Sequence, residues 1–280
     1  MLRYPQIGLE GVFLIRDAVD RYLSDTRVVR TEAQTHWYPS SLGKCPREVI
    51  LKRSGEPETN PPDEQSMRKF WLGEMVHRGL QEAVGATLTV VGHELRVRDE
   101  EYNVSGKLDT LLKGQDGLIV VEYKSMKDYG FRFKPELPKA DHVLQMGVYM
   151  TFPAECYACP KVDRPTLMPE VQACDQCQGR RVFDLPDKGI LAYYNKNEDT
   201  ITEFTIEATD ELRSGVKAAL TEIGDHWKNF LEDGTLPEPL PMVPMTESQA
   251  KKALPGTLLM KPDWRVRYCS YKNSGRCCGD

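Results

Sequence analysis

Three side chains in the middle of the chain have the types and spacing for phosphoryl chemistry: Asp109, Glu122 and Lys124. They stand in the stretch Val104 to Lys124, which reads as two strands joined by a Gly-containing turn from Lys113 to Gly117. Side chains alternate faces along a strand, so Glu122 and Lys124 share one face while Ile119, Val121 and Tyr123 take the other. If the two strands pair as a hairpin, Asp109 joins them, and two carboxylates and one amine converge at one edge of a sheet. Carboxylate oxygens suit hard divalent cations such as Mg²⁺ or Mn²⁺. A lysine beside them can orient an attacking water or offset charge building on a phosphate. The ordinary alternative is a surface hairpin with one salt bridge. Glu122, however, ends the apolar run Leu118 to Val121, where a solvated charge is not expected.

The elements around this hairpin decide what can reach it. Residues 11–30 read as a helix, with Val12, Ile15, Val19 and Leu23 at helical spacing. Ser40 or Ser41 can start a helical turn, and Arg47 to Arg53 reads as a helix ended by Gly55, with Cys45 just before it. After a Pro-rich loop at 56–63 comes a helix over 64–84, whose Met67, Phe70, Gly73, His77, Leu80 and Val84 form an inward stripe. His77 is then either a satisfied core histidine or, with Gly73 leaving room one turn earlier, a ligand reaching a neighbouring site. Residues 86–98 read as a strand.

Beyond the hairpin, Lys127, Tyr129, Phe131, Arg132, Phe133 and Lys134 interleave cations and rings. That suits a nucleic-acid strand, and equally an ordinary, partly packed loop. A helix over 139–152 places Gln145 and Tyr149 four apart, on one face. Strands at Ile190 to Tyr194 and Thr200 to Ile206 follow. Next is a helix over 208–233 with Leu212, Val216, Leu220, Ile223, Trp227 and Phe230 inward, and then a Pro-rich wrap from 235.

The whole chain has 280 residues, 40% hydrophobic and 28% charged, which is ordinary for a soluble globular protein. A net charge of −5 argues against a generally basic nucleic-acid binder, but not against a nuclease whose acidic residues hold cations. No apolar run approaches a membrane span and the N-terminus lacks a signal pattern, so the expectation is a cytoplasmic protein with no membrane partner. Eight cysteines fall in three groups: Cys45, then Cys156, Cys159, Cys174 and Cys177, then Cys269, Cys277 and Cys278. The middle group forms two C-x-x-C knuckles fourteen residues apart, a pattern for a tetrahedral, structural Zn²⁺ site, with two disulfides as the alternative. The segment between them, with Pro160, Pro165 and Pro169, has no core of its own, so the reading is a zinc-binding insertion over 153–182 within one domain of residues 1–280.

The order His77, Gly106-Lys107-Leu108-Asp109, Glu122-Tyr123-Lys124 and Gln145-x-x-x-Tyr149 resembles the RecB-type branch of the PD-(D/E)XK nuclease superfamily. Ser41-Leu42-Gly43-Lys44-Cys45-Pro46-Arg47 early, and Trp264 with Tyr268-Cys269 late, add to it. Together they make the chain similar to the iron–sulfur nucleases of the CRISPR-adaptation and AddB-like groups and to related phage exonucleases. The resemblance spans roughly residues 35–278 apart from the Cys156 to Cys177 insertion. It implies an α/β restriction-endonuclease-like core, a central mixed sheet flanked by helices. His77, Asp109, Glu122 and the Tyr123 carbonyl would bind the catalytic metal, Lys124 would position or activate water, and Gln145 and Tyr149 would support the site or hold the strand. Cys45, Cys269, Cys277 and Cys278 would hold a structural four-iron four-sulfur cluster that pins the region 235–280 to Cys45, with zinc or an empty site as alternatives. The implied activity is a DNA nuclease, most of all an exonuclease in repair, recombination or spacer processing, acting on single strands or free ends. The setting would be a bacterial cytoplasm, or a phage protein in its host, with a recombinase, helicase or integrase complex as possible partner. A non-catalytic DNA-binding module and an RNA nuclease are the rival readings.

Overall fold

The computed structural model describes residues 14–28, 32–127, 137–155, 183–252, 258 and 260–277. The zinc knuckles Cys156, Cys159, Cys174 and Cys177, the loop residues Tyr129 to Lys134, and Cys278 lie outside the described residues.

Six strands form the central sheet: β1 Val90–Asp99, β2 Val104–Lys113, β3 Leu118–Met126, β4 Ala154–Glu155, β5 Lys188–Asn195 and β6 Thr200–Glu207. Their order is β4-β1-β2-β3-β5-β6, and the sheet is mixed: β3 and β5 run parallel and every other pair is antiparallel. A parallel pair needs a crossover, and the helix Ala140–Thr151 supplies part of it. Numbered in chain order, the helices are α1 Leu14–Asp25, α2 Pro46–Arg53, α3 Glu64–Thr87, α4 Ala140–Thr151 and α5 Asp210–Asp233, followed by short turns at Glu247–Ala250 and Trp264–Arg267. A small two-stranded sheet pairs Val243–Pro244 with Met260–Lys261.

The local stops and starts follow the side chains. The Asp63 carboxylate accepts from Ser66 N at 2.7 Å and caps α3. Thr209 caps α5, and Gly234 ends it at φ +78°. Pro46 opens α2 where no N–H is needed.

The sheet separates two apolar layers. On one face Val120, Leu191 and Leu111 meet Met146, Val148 and Met150 of α4 and Val216, Leu220 and Ile223 of α5. On the other, Val121, Tyr123, Leu112 and Ala192 meet Leu80 and Val84 of α3. The alternation expected for β3 and the inward stripe of the 208–233 helix therefore hold.

α1 lies largely at the surface: Ile15 is 75% exposed, and the buried residue of α1 is Asp20, which pairs with Arg68 of α3. Two sequence expectations are overturned. Phe70 is 66% exposed rather than inward, because the first half of α3 lies beside α1 and only its second half reaches the sheet. The hairpin also lies elsewhere than expected: β2 and β3 are the two middle strands, not an edge.

Close approach explains Gly106. A Cβ there would stand 2.5 Å from Pro39 Cδ, in the turn Pro39–Ser41 that rests on β2. The proline ring cannot swing away, so Gly106→Ala is expected to cost about 1–3 kcal/mol in urea denaturation. Gly189→Ala is the control. Its Cβ would meet Met146 Sδ at 2.5 Å, but that side chain is flexible and the loss should be clearly smaller.

Candidate active site

Asp109 on β2 is buried, and its Oδ2 accepts a hydrogen bond from Tyr123 N on β3 at 2.8 Å. The same oxygen lies 3.3 Å from His77 Nε2 of α3. A third acid that the sequence analysis missed completes the group: Glu94 on β1, whose Oε1 is 4.0 Å from His77 Nε2. Gln81 of α3 ties the set together, donating from Nε2 to Glu94 Oε1 at 3.1 Å and to the Asp109 carbonyl at 2.9 Å. Glu94 sits at φ +54°, just after the irregular register at Val90/Gly92, and that bulge turns its side chain towards α3. Among the described residues, His77, Glu94 and Asp109 form the one group of three whose ligand atoms all lie within 4.8 Å of one another.

This donor set fits a divalent cation. Burial lowers the His77 pKa, which keeps the imidazole in the neutral form that can ligate. Burial first, and then the nearby Glu122 charge, push the Asp109 carboxyl well above the usual range. Carboxylates held this way want a positive charge. Among the buried side-chain atoms that make no hydrogen bond are His77 Nε2 and Glu122 Oε2. An orphaned buried polar atom is costly, and both belong to residues that the sequence analysis singled out as ligands. The backbone N–H of Tyr123 is engaged by Asp109, and its ring lies 5.3 Å from that of His77.

The remaining expected residues form one hydrogen-bonded network on the other face of β3. Lys124 Nζ donates to Glu122 Oε1 at 2.6 Å and to Gln145 Oε1 at 2.8 Å. Gln145 Nε2 donates to Glu122 Oε1 at 2.7 Å and to Tyr149 OH at 3.1 Å. The lysine can only donate, which sets the orientation of the Gln145 amide. Burial, then the Glu122 charge, push the Tyr149 phenol up, so it stays protonated. Gln145 and Tyr149 are buried and aimed at the hairpin, not flank residues of α4. A pocket of about 260 Å³ beside Gly73, His77, Tyr123, Lys124 and Ser125 opens this centre to the outside. The site as a whole can hold a hard cation, neutralise a phosphate and orient a water.

Of the other expected ligands, Cys269 and Cys277 are buried together, with Sγ atoms 3.1 Å apart, against Leu51 of α2 and Tyr271. Burial, then the Cys277 contact, push the Cys269 thiol up. Cys45 is buried at the start of α2. Residues 269–276 are laced to the region around α2: Asn60 Nδ2 donates to the Cys269 carbonyl at 2.9 Å, Arg47 Nη1 to the Arg276 carbonyl at 3.1 Å, and Arg276 Nη1 to Glu56 at 3.1 Å.

Comparisons with known proteins bear on this arrangement. A model of the PD-(D/E)XK nuclease superfamily matches residues 48–274, a span that contains every residue of the network above. Among solved structures, the crystal structure of SSO0001 is similar over 92% of this chain and 94% of that chain, at 16% identity and a TM-score of 0.48. No curated protein matches.

Proposed function

From the premise that this chain belongs to the PD-(D/E)XK nuclease superfamily, we propose that it is a DNA exonuclease, working with Mg²⁺ or Mn²⁺ in repair, recombination or spacer processing. The observation that carries the reading is the pair of orphaned atoms, His77 Nε2 and Glu122 Oε2, in a site that also holds two further acids and a lysine. Bound there, a divalent cation would supply Lewis acidity towards the phosphate and make water more acidic.

The protein's own groups do the rest. His77, Glu94, Asp109 and Glu122 would hold the cation. Lys124, at hydrogen-bond distance from Glu122, neutralises a phosphate oxygen or orients the attacking water. Gln145 holds Lys124 and Glu122 in register, and Tyr149 holds Gln145. Hydrolysis breaks the P–O bond to the leaving sugar oxygen, water supplies the new P–O bond, and the proton lost from water passes to solvent or to the leaving oxygen.

The finer readings attach to the same proposal. The paired Cys269 and Cys277 suit a soft, structural metal centre, a four-iron cluster completed by Cys45 and Cys278 in this reading. The knuckles at Cys156 to Cys177 would hold zinc. A recombinase, a helicase or an integration complex would be the partner. No helix among the described residues is long and apolar enough to cross a membrane.

The test is degradation of linear against covalently closed DNA, with Mg²⁺, Mn²⁺ or chelator. Loss of linear DNA alone, abolished by chelator, is the expected result. Cutting of circles would make the enzyme an endonuclease, preference for RNA would change its substrate, and no degradation of any substrate would leave a DNA-binding module.

A further inference from the structure

A second, larger concavity lies along the first half of α3. α1, the first half of α3, the loop at 58–63 and residues 267–270 enclose about 1070 Å³. That is at or above the roughly 300–1,000 Å³ of small-molecule sites. Its walls carry rings that no core covers: Phe70 is 66% exposed, Trp71 38%, Tyr22 58% and Tyr268 66%. Single exposed rings are normal on a soluble protein, but four around one groove mark a contact surface.

Charge narrows the occupant. Lys52, Lys69 and Arg267 line the groove and make no ion pair with a carboxylate among the described residues. Lys69 donates to Gln65, and Arg267 lies over the Tyr268 ring. Of the four lining acids, Glu58 is paired with Arg27 and Glu74 with Arg78, while Asp63 caps α3 and Glu48 accepts from Ser270 N at 3.5 Å. Rings with unpaired cations between them suit a strand of nucleic acid, where bases stack and phosphates are neutralised. In a duplex both faces of each internal base are already stacked on neighbours, so these rings can serve only an unpaired strand.

The groove also leads somewhere. Glu74 lines both it and the pocket at His77. Phe70 precedes His77 by two turns on the same side of α3, about 10 Å along the axis. We propose that this groove takes a single strand of DNA and delivers it to the metal centre, with bases on Phe70 and Trp71 and phosphates on Lys52, Lys69 and Arg267. The proposal rests on the nuclease reading and adds the path that the strand takes and the residues that line it.

Fluorescence anisotropy of a labelled oligothymidine, measured in chelator so that nothing is cut, tests it. The full chain should bind the single strand more tightly than a hairpin duplex of equal length. Phe70→Ala with Trp71→Ala should weaken that binding about 10- to 100-fold without changing the thermal melt. Lys52→Ala with Lys69→Ala changes only exposed charges and guards against misfolding. It should flatten the dependence of log K on log salt by about 0.7 per lysine removed. Equal binding by both double variants, or a duplex bound as well as the single strand, overturns the proposal. So does a sedimentation result in which the ring variants lose self-association instead, which would make a second copy the occupant. Metal-dependent hydrolysis of bis(4-nitrophenyl) phosphate, too small to need the groove, separates the two readings. Hydrolysis without strand binding sinks the groove alone, and strand binding without hydrolysis sinks the nuclease alone.

Discussion

Lys124→Ala is expected to lower the rate of DNA hydrolysis about 10²- to 10⁴-fold while leaving cation binding in place. Lys124 Nζ is held from two sides, by Glu122 Oε1 at 2.6 Å and Gln145 Oε1 at 2.8 Å, so its position is set before any substrate arrives. Such a preset charge need not reorganise when negative charge builds on the phosphate. Truncation removes it but leaves Glu122 bonded to Gln145, so the carboxylate keeps a donor and stays in place. It also takes a competing positive charge away from the ligands, so Mn²⁺ affinity by calorimetry should be unchanged or tighter. Lys124→Arg is not expected to rescue, because a planar guanidinium cannot occupy the same point between two acceptors. Single-turnover kinetics on linear DNA would check this. A loss of less than about tenfold would reduce the lysine to a partner for Glu122.

The second large effect separates stability from activity at one residue. Asp109→Asn should abolish hydrolysis and cation binding, yet stabilise the chelated protein by on the order of 1 kcal/mol, or about 2–4 °C. The asparagine oxygen can still accept from Tyr123 N, while the buried charge beside Glu122 is gone. The sign of the pH dependence follows from the same residue. The folded-state pKa of Asp109 is raised, by burial first and by Glu122 second, so between the unfolded value and the raised one the folded chain binds more protons. In chelator, stability should therefore be fullest below the unfolded pKa and be lost as pH rises through the folded one. Asp109→Asn removes that slope. Saturating Mn²⁺ should cancel it in the wild type and add about 2.7 kcal/mol at a hundredfold excess over Kd. Glu94→Gln should weaken Mn²⁺ binding without abolishing it, since His77 and Asp109 remain. Melting curves with and without cation across pH would show all three behaviours.

The sequence made some of this arrangement legible and hid the rest for physical reasons. The β2–β3 hairpin could be read because strict alternation leaves Glu122 and Lys124 on one face and an apolar layer on the other. The α5 stripe could be read because Val216, Leu220 and Ile223 do meet a sheet. The same reasoning failed for Phe70, whose periodicity is just as regular. A period shows which residues share a face, not whether anything covers it. Glu94 was hidden for a different reason. It enters the site through a bulge and a positive φ, and no spacing rule connects positions 77, 94 and 109. Placement of the site on the middle strands depended on β5 and β6 adding beside β3, a choice made by the crossover and not by the hairpin.

The lacing of residues 269–276 onto the surroundings of α2 bears on how the chain comes to be folded. Those bonds join residues 209 to 229 positions apart, such as Asn60 with Cys269 and Arg47 with Arg276. Contacts of that separation carry the largest loop-closure entropy and form late. On the ribosome, α2 must wait for almost the whole of the rest of the chain before its neighbours exist, while β1, β2 and β3 can pair from adjacent sequence. The catalytic hairpin should thus be assembled first and the frame around it closed last, so a nascent or nicked chain would hold the hairpin without its surrounding frame.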